Sequence, residues 1–310
     1  VGAALILFGG QPYWLTGSYL SFIFPNSRYT LSFLPGVPFV WLGTVRFIGA
    51  KLRGKSGRAV RWVGVGVFAL TIGLSCGFHF LNATEYRRDW TLTRDFFRQL
   101  SWRIPDLEPN TAVVTNALPI RFSTDNSLTA PLNWIYADAS ELGDASMPFM
   151  LYTNTKRAQT MSDFAPGRRI EQEYLTARFS GNTSDTLSLY YRAPGCVHVL
   201  DPEIDIFNQT IPEMDRMASL LTNYGRIRMN EDGRALNPTI FGSDPSGAGS
   251  WCEAYERADL ARQRGDYETV AALGDAAFAG SDYPNDPMER LPFIEGYAMS
   301  ARWADAERLT

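Results

Sequence analysis

Twenty-three consecutive residues, Trp62 to Thr84, carry no formal charge, and no other feature limits the fold of this chain as tightly. A helix needs ~20 such residues to cross the ~30 Å hydrocarbon core of a bilayer, so a transmembrane helix is expected here. The charge pattern changes at its end. All 33 acidic residues of the 310-residue chain follow Thr84, whereas residues 1–84 hold seven basic residues (Arg28, Arg46, Lys51, Arg53, Lys55, Arg58, Arg61) and no acidic one. The net charge of −4 therefore averages a basic membrane region and an acidic remainder. That remainder lacks the clustered Lys and Arg that a nucleic acid partner demands. With 45% apolar and 13% aromatic residues, global disorder is excluded.

A second full span is expected from about Tyr29 to Ala50, with Arg46 snorkelling to the interface and Pro35 and Pro38 kinking the helix. Residues 1–9 are apolar but too short to span, and read as the end of a third, upstream helix of a longer polytopic protein. In the helix from Trp62, Gly66, Ala69, Gly73 and Gly77 recur at three- and four-residue spacing, which lets another helix approach closely. Five basic residues between Lys51 and Arg61 make that loop cytoplasmic by the positive-inside rule, so everything after Thr84 is expected outside the cytoplasm. The uncharged loop Gly10 to Ser27 carries Tyr13, Trp14, Tyr19, Phe22 and Phe24. It suits an interfacial or re-entrant segment or, equally, an ordinary aromatic belt.

Beyond the membrane region, Glu85 to Leu107 has apolar residues at helical spacing and is expected to be an amphipathic helix ended by Pro105. Short apolar runs bounded by Gly, Pro, Asn or Asp predict strands at Thr111–Thr115, Pro148–Thr153, Tyr174–Phe179, Thr186–Tyr191 and Cys196–Leu200. Helices are expected at Ser127–Ala137 and Pro212–Thr222, giving an α/β domain over 85–232. The Gly-, Pro- and Ser-rich stretch 233–250 reads as a linker. Residues 251–310 read as helices only: Cys252–Arg264, Tyr267–Phe278, Met288–Ser300 and Ala304–Leu309. Tyr267 and Trp303 follow their turns thirty-six residues apart. This region resembles tetratricopeptide repeats in its period, its Gly265-Asp266-Tyr267 turn and its small residues Ala258 and Ala277, with Val270 standing where the motif has Ala. The resemblance implies a protein partner on these helices, or else a plain helical hairpin leaning on the α/β domain.

Candidate site residues are few. Cys196 and Cys252 could form a disulfide in an oxidising compartment, worth about 3 to 4 kcal/mol if unstrained, or remain two buried thiols. Cys76 sits within the expected membrane helix. His79 and His198 lack zinc-protease spacing, and no GxSxG elbow is present. Asp201, Glu203 and Asp205 alternate as a cation loop could, but the Gly and distal Glu of a calcium loop are missing, so a solvated loop is favoured. No metal site and no cofactor are expected, and a divalent cation is left open. Arg28 and Tyr29, at the mouth of a proline-broken span, are placed to meet a lipid phosphate or to serve as an interfacial anchor pair.

The string Arg28-Tyr29-Thr30-Leu31-Ser32-Phe33-Leu34-Pro35-Gly36 resembles the Arg-Tyr-apolar-Leu-Pro stretch of a late transmembrane helix in bacterial GT-C glycosyltransferases that use polyprenyl-phosphate sugars. The order of parts over residues 1–84 is also similar. The resemblance implies sugar transfer from a lipid phosphate carrier on the outer face, with Arg28 and Tyr29 at the phosphate and Tyr13 and Trp14 along the carrier groove. In that family the catalytic base is an acidic residue of an early outer loop. No acidic residue precedes Glu85, so no catalytic residue is assigned, and a membrane-anchored protein-interaction module is the alternative.

Overall fold

The computed structural model describes residues 1–19, 21, 26–52, 55–121, 123–138, 146–153, 165–229, 236–241 and 249–310. Two compact units, Val1–Glu85 and Tyr86–Thr310, divide inside one long helix.

In the first unit, α1 (Gly2–Leu15) leads to a 3₁₀ turn at Asn26–Thr30, then to α2 (Gly36–Lys51) and the first part of α3 (Lys55–Arg103). Glycines bring α1 and α2 together. A Cβ on Gly36 would lie 2.6 Å from Gly2 O, and one on Gly2 would lie 2.7 Å from Val40 N, so only glycine fits at this crossing. Gly64 of α3 receives Val45 of α2 in the same way. By contrast, a Cβ on Gly66, Gly73 or Gly77 would meet nothing within 4 Å.

Two expectations for this unit are corrected. A full span over Tyr29–Ala50 is not found. Its helix starts at Gly36 and its 16 residues reach about 24 Å, short of a bilayer core. Pro35 is the N-cap and Pro38 falls in the first turn, where a missing N–H costs nothing, so the prolines start the helix instead of kinking it. The aromatic loop begins later than expected, since Tyr13 and Trp14 belong to α1; Phe22 and Phe24 lie outside the described residues. One helix among the described residues is long and apolar enough to cross a membrane, within Ser56–Arg103. Trp62, Val65, Phe68, Leu70, Leu74, Phe78 and Phe80 stand exposed all round it, a pattern suited to lipid.

The amphipathic stretch after Glu85 continues α3 without a break to Arg103. In the second unit Phe96, Phe97 and Leu100 of this helix, with Ile104 just after it, are buried. The chain continues through β1 (Asp106–Leu107), β2 (Thr111–Thr115), α4 (Asp125–Tyr136), β3 (Phe149–Thr153), β4 (Arg169–Tyr174), β5 (Ala177–Asn182), β6 (Thr186–Tyr191) and β7 (Val197–Val199). Then follow α5 (Glu213–Ser219), β8 (Ile227–Arg228), α6 (Pro238–Phe241), α7 (Trp251–Gln263), α8 (Tyr267–Ala279), α9 (Leu291–Met299) and α10 (Trp303–Leu309).

The main sheet has the order β3-β2-β6-β7, with β2 parallel to both neighbours and β7 antiparallel to β6. Alternation sorts its side chains. Val113, Leu151, Leu187 and Leu189 face a core with α3, α4 and Phe241, whereas Ala112, Val114, Met150 and Tyr152 face Ile170 and Phe179 of the β4–β5 hairpin. The expected strand Tyr174–Phe179 straddles the tip of that hairpin: Tyr174 ends β4, the chain turns at Leu175 with φ 55°, and Ala177–Phe179 begin β5. The expected linker is also corrected: its residues 236–241 include α6, whose Phe241 is 2% exposed in the core, while 242–248 lie outside the described residues.

The outer edge of β3 is closed by a helix. Asp125, Thr129 and Asn133 stand at four-residue spacing on α4 and accept the backbone N–H groups of Thr153, Leu151 and Phe149 at 3.1, 3.0 and 3.2 Å. Two helical turns advance about as far as four strand residues. One helix face thereby replaces a fifth strand at an edge that would otherwise invite foreign pairing.

The last four helices form two antiparallel hairpins closed by the same turn. Asp266 N–H reaches Ala261 O (3.0 Å) across Gly265, and Arg302 N–H reaches Tyr297 O (2.8 Å) across Ala301. Gly265 and Ala301 both take positive φ, the usual helix-ending geometry. Val270 packs against Gly296, which leaves room for it: a Cβ on Gly296 would lie 2.3 Å from Val270 Cγ1.

Candidate functional site

Of the four residues expected at a lipid-linked ligand, Arg28 and Tyr29 at its phosphate and Tyr13 and Trp14 along its groove, three come together. The Arg28 guanidinium lies over the Tyr29 ring, 5.0 Å from its centroid, and donates to its hydroxyl at 3.1 Å. The rings of Tyr29 and Tyr13 are 5.2 Å apart. Ser32 Oγ donates to Gly9 O (2.8 Å) and ties the segment after the 3₁₀ turn to α1. Trp14 packs over Gly10 instead, with half of its surface exposed.

In the second unit Cys196, just before β7, is disulfide-bonded to Cys252 of α7, with Cα atoms 5.3 Å apart. Glu289 secures the same junction. Its Oε1 accepts Cys196 N (2.8 Å), and its Oε2 accepts Trp251 Nε1 (2.7 Å) and Asn285 N (3.1 Å). Burial pushes its pKa up, against the pull of these donors.

Next to the disulfide, His198 joins two elements. Its Nε2 meets Asp205 Oδ2 at 2.8 Å and its Nδ1 meets the Tyr255 hydroxyl at 3.1 Å. Burial alone would lower the His198 pKa, but the hydrogen bond to Asp205 and the charge of Asp205 outweigh it and raise the pKa. Asp205 is lowered in return, burial being outweighed by His198. Asp205 also accepts Asp201 N (2.7 Å) and Asn208 Nδ2 (3.1 Å). It is 1% exposed, so the expected solvated loop holds at exposed Glu203 and is corrected at Asp205, which turns inward because His198 supplies a donor.

A buried ion network completes the junction. Arg103, fully buried at the end of α3, donates from Nε to Asp259 Oδ2 (2.9 Å) and from Nη2 to Gln263 Oε1 (2.7 Å). Arg262 Nε donates to the other oxygen of Asp259 at 2.9 Å. Burial would raise Asp259, but the two guanidinium groups hold it at about 2. Glu256 beside them is 0% exposed, and among the described residues neither carboxyl oxygen has a hydrogen-bond partner. Burial drives its pKa well above the ordinary carboxylate value, against the lowering pull of Arg103.

What this arrangement can do chemically follows from its geometry. A general base needs a free lone pair facing a nucleophile, and both ring nitrogens of His198 already face protein groups. Burial drives the Tyr255 pKa well above its ordinary value, so the hydroxyl keeps its proton. The cleft that His198 lines with Tyr190, Arg192 and Asp286 has room for about 50 Å³, enough for a few waters. Among the described residues no group of three His, Cys, Asp or Glu is placed to hold a metal ion. The cluster is a clasp between β7, the 201–208 loop and α7. Sequence reasoning singled out His198, Asp205 and both cysteines, but not Glu289, Arg103 or Asp259, whose partners are far away in the chain. No family model, curated protein or solved structure matches the chain.

Proposed function

We propose that this chain is a membrane-anchored protein whose second unit is a rigid, non-catalytic docking module on the extracytoplasmic side. The Cys196–Cys252 disulfide carries the reading, because structural disulfides belong to oxidising compartments. The exposed apolar helix around Trp62–Leu81 supports the anchor, and the fully paired His198 supports a structural role over a catalytic one. The exposed faces of the two C-terminal hairpins, with Tyr283 and Trp303 standing free, are the surface proposed for a protein partner. Fusing alkaline phosphatase or green fluorescent protein after Thr310 tests the placement. Active phosphatase with dark fluorescent protein is expected, and the reverse pattern overturns the proposal.

A second reading rests on the Arg28–Tyr29–Tyr13 group. Here the chain is part of a glycosyltransferase of the GT-C type, and Arg28 pairs with the phosphate of a lipid-linked sugar. Arg28→Ala should then weaken binding of a polyprenyl-phosphate sugar by about tenfold, the loss of one charge-assisted contact. Unchanged binding removes this reading.

A further inference from the structure

The second unit holds another cleft, of about 380 Å³, within the size range of small-ligand sites. One wall is a face of α3 carrying Leu92, Asp95, Arg98 and Trp102, and Pro194 and Asn285 contribute to the rest. The Arg98 side chain is only 15% exposed, yet among the described residues its sole ion partner, Asp95, is 3.8 Å away, beyond hydrogen-bond range. Among the described residues its guanidinium donates no hydrogen bond within the protein. Asp95 is 41% exposed, so its oxygens are open to the cleft. Asn285 Nδ2 donates to Pro194 O (3.2 Å), which leaves its side-chain oxygen to accept. Asp282, also at the rim, is already committed to Trp251 N and Tyr283 N.

The open groups on Arg98, Asp95 and Asn285 are therefore one cation rich in donors, one acceptor-only anion and one amide oxygen, beside the half-buried indole of Trp102. An ionic ligand of either sign would be opposed by Asp95 or by Arg98. A hydroxyl both donates and accepts, so neighbouring hydroxyls on one ring satisfy the guanidinium and the carboxylate together. Trp102 offers a flat face for a ring, whereas the other indole of the lining, Trp251, is 2% exposed; one open indole face is not the set of separate apolar pockets that seat peptide side chains.

We propose that this cleft binds a neutral saccharide unit, stacked on Trp102 and hydrogen-bonded by Arg98, Asp95 and Asn285. The proposal uses none of the residues on which either functional reading rests, so its failure would leave both untouched. The test is calorimetric titration of the full chain in lipid nanodiscs with maltotriose, cellotriose, mannotriose and N-acetylated chitotriose. Saturable binding by at least one is expected. Arg98→Ala and Trp102→Ala should each weaken it by about tenfold or more, while Trp134→Ala, on an exposed residue of α4 outside the cleft, should not change it. Trp102→Tyr preserves a ring and should retain measurable binding, which guards against a folding defect in the alanine variant. The proposal is overturned if no trisaccharide saturates, if Arg98→Ala binds as the parent does, or if an uncharged proline-rich peptide binds more tightly than every saccharide.

Discussion

Ala301 shows what a single residue can carry. It holds the left-handed conformation (φ 59°) at a helix end where the preceding hairpin has Gly265 (φ 73°). A Cβ in that region costs roughly 1 kcal/mol. Ala301→Gly should therefore stabilise the fold by up to about 1 kcal/mol, less the added freedom of the unfolded chain, as a higher urea midpoint in detergent. An unchanged or lower midpoint would contradict it. His198 yields a prediction in pH. Its pKa is raised in the fold above the ordinary 6.5, so the folded state holds the proton more tightly than the unfolded one. Its contribution is complete below the unfolded pKa and fades as pH rises through the folded value. Asp205, being lowered, contributes with the opposite sense, losing its share only as pH falls through its folded value, in the acid range. The stability gap between the parent and His198→Gln should thus be wider near about pH 5.5 than near about pH 8.5, by urea unfolding at each pH.

At the scale of elements, β2 and β6 were legible because Pro109-Asn110 and Asn182-Thr183-Ser184-Asp185 bound compact apolar runs. The β4–β5 hairpin was not, since its turn places Leu175, not Gly or Asn, at positive φ, and the apolar run passes straight through it. Residues 236–241 read as linker because one short helix holding one buried phenylalanine has no periodicity to detect. The α4–β3 ladder was hidden for another reason. Asp125, Thr129 and Asn133 look like polar interruptions of an apolar helix until the strand they serve is in place. Asn133 both accepts Phe149 N and donates to Phe149 O (2.8 Å). Asn133→Ala should cost about 1 to 3 kcal/mol, the penalty for buried backbone groups left unpaired, and hydrogen exchange at Phe149 should accelerate. Unaltered exchange there would show that another group closes this edge.

For the whole molecule, the candidate site was legible only in pieces. Cysteine arithmetic offered the disulfide as one of two alternatives and charge counting marked the long apolar helix, but Arg103 and Asp259 are separated by 156 positions, and nothing local links them. The tertiary structure makes residues 86–310 one unit, with the C-terminal hairpins held to the sheet by the disulfide, Glu289, His198 and Arg103. Removing one partner of a buried ion pair typically costs about 3 to 5 kcal/mol. Asp259→Ala should accordingly unfold the C-terminal hairpins and the sheet together rather than release the hairpins alone, seen as a single transition at lower urea. Two separated transitions would mean that the parts are independent.

The claim that a disulfide-clasped module lies outside the cytoplasm is tested most directly by thiol labelling in intact cells carrying the Cys76→Ala variant. Before reduction, a membrane-impermeant maleimide should not label the chain. After mild reduction from outside, it should label both Cys196 and Cys252. Labelling without reduction, or labelling only once the membrane is permeabilised, would contradict the account.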